Sequence, residues 1–361
     1  MTKQDTASPT AEPLIAPELA KSFDSKLSTP SQAAKATPKD NRALAITCTN
    51  IYAITEVLQS VFFKMGAANG LSPVDFPLFR NVVLFFYAGC QVLYGGKNVS
   101  KAIPKHLRFN VFLRCMLGQV HFFLLNLALI YVPLAAVQVI MLTSPFFASI
   151  FSYLMLGEPV KAHELVFMAI CFSCIILFSV CDKPADSEEA IGAETTDFNM
   201  GYLIVIVLAA LMGFIGVVTR SLKGVDTPVI LFWNGLLGIT TSCMLIGGDH
   251  LFFHAGEALR LFTYGRSVVQ PAVSAAVTDA FCVHAITLGF QSDSTGFVAL
   301  ITYLTVPYGY FADLWIFDEF FTVVQTLAVL VILAIMVGIS VHDLRKEAQK
   351  KAKAEETVDD D

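Results

Sequence analysis

The sequence predicts an all-α integral membrane protein of ten transmembrane helices, arranged as an inverted repeat of two five-helix units. Three observations carry this. First, 55% of the 361 residues are hydrophobic and 15% are charged, the mean hydropathy is +0.64, and apolar runs of about 20 residues recur, each enough to cross a bilayer as a helix. Second, Pro145 precedes Glu158 in SPFFASIFSYLMLGE and Pro307 precedes Glu319 in VPYGYFADLWIFDE. Each stretch closes the fourth apolar segment of a set of five. Third, lysine and arginine crowd the loops of one side.

Taken in order, residues 1–42 are rich in Ser, Thr, Pro, Ala and Lys and lack apolar periodicity, which predicts a disordered, cytoplasmic N-terminal tail. No apolar signal-peptide core stands near the start. The first unit, 43–181, holds spans at 43–66, 75–95, 107–130, 133–156 and 162–181. Tyr131-Val132-Pro133 separates the third from the fourth, because proline has no N–H and disfavours helix for the residue before it. An acidic loop at 182–199 follows, on the non-cytoplasmic side. The second unit, 200–341, holds spans at 200–220, 226–247, 271–290, 295–316 and 320–341. Between 248 and 270, LFFHAGEALRLF reads as an amphipathic helix at the interface. Residues 342–361 form a charged cytoplasmic tail, basic and then acidic. Helices are expected because the hydrocarbon offers no water to free backbone groups; the runs are too long, and alternate too little, for a β-barrel.

Placing both tails in the cytoplasm puts Lys97, Lys101, Lys105, Arg108, Lys161, Arg220, Lys223, Arg345, Lys346, Lys350, Lys351 and Lys353 on that side. Only Lys183, Arg260 and Arg266 fall opposite. That asymmetry follows the positive-inside rule. It also makes the second five helices enter from the side opposite to the first five, so the duplication is inverted. Two halves that rock about a central site are the usual build of a carrier.

Several function classes are disfavoured. No basic stripe interleaved with aromatics points to nucleic acid. No Walker, GxSxG or HExxH motif is present, so neither an enzyme nor an ATP-driven pump is expected, and no cofactor is. Cys171 and Cys174 form a CxxC on an apolar helix without a second pair, which reads as small buried residues. His250, His254 and Glu257 give a weak HxxxHxxE pattern, and no metal is expected. The eight cysteines lie in or beside spans, and no disulfide framework is legible.

The candidate site residues are the polar groups inside spans, where burying them is costly. Arg114, Gly118 and His121 share a face of the third span. Arg114 offers a fork suited to carboxylate or phosphate, or else snorkels to the headgroups. His121 is placed to bind substrate, to carry a proton, or to bond a neighbouring helix. Glu56, near the middle of the first span, is a proton-coupling candidate or one half of an ion pair with Lys64, Arg80 or Arg114. Arg80, Asn126, Gln138, Asn234, Asp279 and Tyr303 complete the substrate-binding candidates. Asp279 and His284 are five residues apart, on different faces. Glu158 and Glu319 take equivalent places in the two halves and are read as frame, capping the next helix.

LFRNVVLFF and FLRCMLGQVHFFLLNLALIYVPLAAVQVIMLTSPFFASIFSYLMLGE together resemble the first EamA-type repeat of the drug/metabolite transporter superfamily. AITLGFQSDSTGFVALITYLTVPYGYFADLWIFDE resembles the matching second repeat, and QSDSTGFVALITYL is similar to G-type members of the solute carrier 35 group, relatives of nucleotide-sugar transporters. The resemblance covers roughly residues 43–341. It departs at Phe290-Gln291-Ser292-Asp293, which lacks the proline of the matching turn. It implies two five-helix EamA units around a central cavity, alternating access, and a small-molecule substrate that it does not name. The expected function is secondary transport of a small polar, anionic metabolite, by exchange or with protons, since Arg80, Arg114 and Lys64 favour an anion. The alternative is a non-transporting multi-pass protein of the same fold that regulates or scaffolds partners. The bilayer is an expected partner, and a homodimer is an open assembly. Golgi, endoplasmic reticulum and plasma membrane stay equally open.

Overall fold

A computed structural model describes residues 41–99, 101–131, 137, 140–158, 162–180, 195–253, 260–318 and 321–359. The N-terminal tail before residue 41, most of the 182–199 loop, Gln138, His254, Glu257 and Glu319 lie outside them. The described residues form ten helices: α1 (Arg42–Ala68), α2 (Phe76–Tyr94), α3 (Arg108–Tyr131), α4 (Ser144–Leu156), α5 (Ala162–Val180), α6 (Thr195–Ser221), α7 (Thr227–Phe253), α8 (Arg266–Ser292), α9 (Thr295–Ile316) and α10 (Val323–Asp359).

Local chemistry sets the helix ends. Asn41 caps α1 by accepting from the Leu44 N–H at 3.0 Å. Pro145 sits in the first turn of α4, where a missing N–H costs nothing. Gly157 ends that helix at φ 65°, a conformation glycine adopts without strain. Within α9, Pro307 cannot donate to the Tyr303 carbonyl, and the chain tightens into a 3-10 turn at Thr302–Leu304.

Among the described residues, six helices are long and apolar enough to cross a membrane: α2, α6, α7, α8, α9 and α10, with α6 counted from Gly201 and α10 to His342. This is fewer than the ten expected spans. The described parts of α4 and α5 are short apolar helices, Ser144–Leu156 and Glu164–Leu177. The other two, α1 and α3, carry charged and amide side chains, among them Glu56, Arg114 and Gln119, that the bundle turns inward. Three boundaries also move. Helix α6 starts inside the expected acidic loop. Helix α7 runs on to Phe253, through part of the expected interfacial segment. Helix α10 continues through the charged tail to Asp359, since Lys, Glu, Ala and Gln are good helix formers.

The helices pair in a regular pattern. Helix α1 packs on α8 and α6 on α3; α2 packs on α7; α4 packs on α6 and α9 on α1; α2 packs on α8 and α7 on α3; α5 packs on α10 and α4 on α9. Close approach of α2 and α7 depends on Gly235, where a methyl group would lie 2.7 Å from the Phe85 nitrogen. The largest apolar core joins α1, α4, α5, α8, α9 and α10 around Tyr52, Met168, Phe290, Phe297 and Ile332. Outside it, Phe86, Leu93, Met244, Ile150 and Leu327 are exposed, as side chains facing lipid should be.

The end of the bundle where α1 begins is tied by polar groups. The Glu158 carboxylate accepts from Ser152 Oγ at 2.6 Å, from Arg220 Nε at 3.0 Å and from the Thr295 N–H at 3.1 Å. It thereby joins α4, α6 and the start of α9, and the helix it caps is the ninth rather than the next in sequence. Arg220 also donates to the Gln291 carbonyl at 3.2 Å. The Gln291 amide donates to the Leu222 and Val225 carbonyls, each at 3.0 Å. Arg42 lies 3.8 Å from both Glu164 and Asp293 and covers the Phe297 ring. At the opposite end Lys64 of α1 reaches Asp313 of α9 at 3.3 Å, and Tyr264 donates to Asp75 at 2.6 Å.

Candidate functional site

A polar seam runs between the halves through α1, α2, α3, α6, α7 and α8. Its deepest pair is Arg80 of α2 and Asp279 of α8, Nε to Oδ2 at 2.7 Å, with side chains 9% and 6% exposed. The guanidinium also lies over the Phe122 ring of α3, 4.6 Å from its centroid. Arg80 is therefore an interior, paired cation, not a group reaching for headgroups.

Glu56 stands beside this pair, and Arg80 and Asp279 are the charges that act on it. Its Oε2 accepts from the Cys282 thiol at 3.0 Å. That contact takes the place of the expected ion pair with Lys64, Arg80 or Arg114: Lys64 is engaged by Asp313 and Arg80 by Asp279. His284 lies elsewhere on α8, its Nδ1 sharing a hydrogen bond with the Tyr87 hydroxyl at 3.1 Å.

Next to the ion pair is a ladder of amides. Asn81 Nδ2 donates to Gln119 Oε1 at 3.3 Å and to Ser242 Oγ at 3.1 Å. Gln119 Nε2 donates to the Asn234 side-chain oxygen at 3.1 Å and to its carbonyl at 3.3 Å. These bonds pin α2, α3 and α7 to one another and fix Asn234, which is buried.

Arg114 differs from every other buried charge in the seam. It is 7% exposed, yet among the described residues no carboxylate pairs with it. Its Nε donates to Thr219 Oγ1 of α6 at 2.7 Å. A methyl at Gly118 would come 3.0 Å from Arg114 Nη1 and 3.6 Å from Asn234 Oδ1, so both groups flank the bare glycine. His121, one turn further on, feels both Arg80 and Arg114. Its Nε2 is buried without a hydrogen-bond partner among the described residues.

The seam thus gathers Glu56, Arg80, Asp279, His121, Arg114 and Asn234. Tyr303 is placed elsewhere: it is fully buried in the apolar core, its hydroxyl unbonded among the described residues, because α9 turns that face toward α5. Asn126 lies on α3, but its side chain, like all of Gln138, is outside the described residues. Sequence reasoning missed Asn81, Gln119, Thr219, Ser242 and Cys282. Asn81 and Gln119 were findable as amides within spans; Thr219, Ser242 and Cys282 are small residues without a sequence signal. An apolar groove of about 410 Å³ along α5, lined by Val166, Ile170 and Leu177 among others, includes none of these polar groups.

The class this arrangement defines is the multi-pass helical membrane protein with a polar interior. Residues 43–180, covering α1 to α5, match the model of the EamA-like transporter family. A solved crystal structure, described simply as that of a protein, is similar at a TM-score of 0.67 and 14% identity, covering 85% of this chain and 100% of its own. At that identity the likeness is one of fold. No match was found among curated proteins.

Proposed function

We propose that the protein is a secondary carrier that moves a small anionic metabolite by alternating access through the seam between α1–α3 and α6–α8. The observation that carries this is Arg114: a buried guanidinium without a counter-ion among the described residues, at the contact of the two halves, in a chain whose first five helices match the model of a transporter family. A buried cation is unfavourable until an anion neutralises it, and the arginine fork matches carboxylate or phosphate bidentately. Gly118 leaves room beside it, and Asn234 and His121 supply neighbouring hydrogen-bonding groups.

The helix pairings support an inverted repeat. Exchanging each helix with the one five positions away turns α1–α8 into α6–α3, α4–α6 into α9–α1 and α2–α8 into α7–α3, and leaves α2–α7, α4–α9 and α5–α10 unchanged. The charge asymmetry of the loops supports cytoplasmic termini. The similarity of residues 291–304 to G-type solute carrier 35 proteins supports a phosphorylated metabolite as the narrower reading. Glu56, beside the Arg80–Asp279 pair, is the proposed proton-coupling group.

The test is uptake and counterflow in proteoliposomes against nucleotide sugars, sugar phosphates, organic acids and amino acids. An anion is expected to be carried by the native chain and not by Arg114→Ala. Uptake of only neutral or cationic solutes, or an Arg114→Ala variant as active as the native chain, refutes the anion reading.

A further inference from the structure

We infer that Thr219 is a positioning residue that aims the Arg114 fork at the transported anion; the inference rests on the anion reading above. Thr219 is 1% exposed and both sides of its hydroxyl are used. The Oγ1 donates to the Ile215 carbonyl at 2.7 Å and accepts from Arg114 Nε at 2.7 Å. The first bond fixes the hydroxyl proton within α6, so its lone pair is turned to α3. An arginine has five N–H donors in a rigid plane. Parking Nε on Thr219 leaves the two terminal nitrogens, the pair that grips a carboxylate or phosphate side-on.

Two further features belong to the same device. Gly118 lies against Nη1: a methyl there would stand 3.0 Å from that nitrogen, so any larger residue moves the fork. And the two partners come from different halves, Arg114 from α3 and Thr219 from α6, so the fork is aimed only while those helices stay packed. Among the described residues nothing in this arrangement supplies a negative charge, which distinguishes it from the Arg80–Asp279 pair and leaves the charge to the transported molecule.

The probe is inorganic phosphate, titrated against the purified full chain at constant ionic strength, with the melting temperature as readout. The native midpoint is expected to rise with phosphate and saturate, and Arg114→Ala is expected to lose that rise. Thr219→Val keeps the shape but removes the hydroxyl; its half-saturating phosphate concentration is expected to rise at least fivefold. Thr219→Ser is expected to stay within twofold of native, and Gly118→Ala to weaken phosphate at least threefold. An unchanged half-saturation in Thr219→Val, or in Gly118→Ala should the valine variant not fold, overturns the positioning role while leaving the anion reading intact. A native chain that ignores phosphate, or an Arg114→Ala variant that responds like native, overturns both.

Discussion

At the scale of single residues, the seam contains two kinds of buried charge, and their substitutions should behave differently. Arg80 and Asp279 neutralise each other at 2.7 Å. Removing either leaves the other buried and alone, at a cost of about 3–5 kcal/mol. Arg80→Ala and Asp279→Ala are each expected to lower the melting temperature in detergent sharply, and the double variant less than their sum, as for any coupled pair. Additive losses would show that the pair is not coupled. Arg114 has no carboxylate partner among the described residues, so Arg114→Ala should lower the melting temperature less than Arg80→Ala or Asp279→Ala while removing anion transport. Glu56→Gln keeps shape and hydrogen-bonding capacity but cannot exchange a proton; uptake by this variant is expected to stop following a pH gradient. If uptake still follows the gradient, proton coupling through Glu56 is wrong. The inward-facing polar positions of α1 and α3 could be read from the chain alone, because charges within an apolar run stand out. Their partners could not: Cys282 and Thr219 acquire meaning only when α8 and α6 are laid against α1 and α3, and apolar periodicity does not reveal which helix meets which.

At the scale of helices, apolar run length located the elements well where composition changes abruptly, and α9 starts and stops at the expected residues. It did less well where helix propensity continues beyond the apolar run, as in α10, whose charged extension is helical to Asp359. The expected first and third spans are both helices, α1 and α3, and a helix facing a polar seam carries polar side chains on that face. The tie around Glu158 joins three helices from both halves at the end where α1 begins. Arg220→Ala removes the charged hydrogen bonds to Glu158 and to the Gln291 carbonyl and should cost at least about 1.5–3 kcal/mol. With that tie weakened, a cysteine introduced at buried Ser292 is expected to react faster with an impermeant maleimide than in the native background. Equal reaction rates would mean that Arg220 does not hold that end shut. Gly235→Ala tests the α2–α7 crossing: the added methyl meets the Phe85 backbone, and a loss of about 1–3 kcal/mol is expected from overpacking, read as a lower melting temperature.

At the scale of the whole molecule, the account joins a first half that matches the model of a transporter family, several helix pairings that interchange when the halves are exchanged, and a buried cation at their contact. The proline-to-glutamate repeat pointed to duplicated frames, and Glu158 is indeed bound up in helix packing, not in the seam. In the proposed carrier, specificity is assigned to Arg114 and its neighbours. The most direct test of the central claim is counterflow of a radiolabelled anion in proteoliposomes, chosen from the uptake screen, with the native chain and Arg114→Ala reconstituted at equal density and confirmed folded. The account predicts saturable exchange by the native chain and a loss of at least tenfold with Arg114→Ala. Exchange that survives the substitution, or a native chain that exchanges no anion, would contradict it.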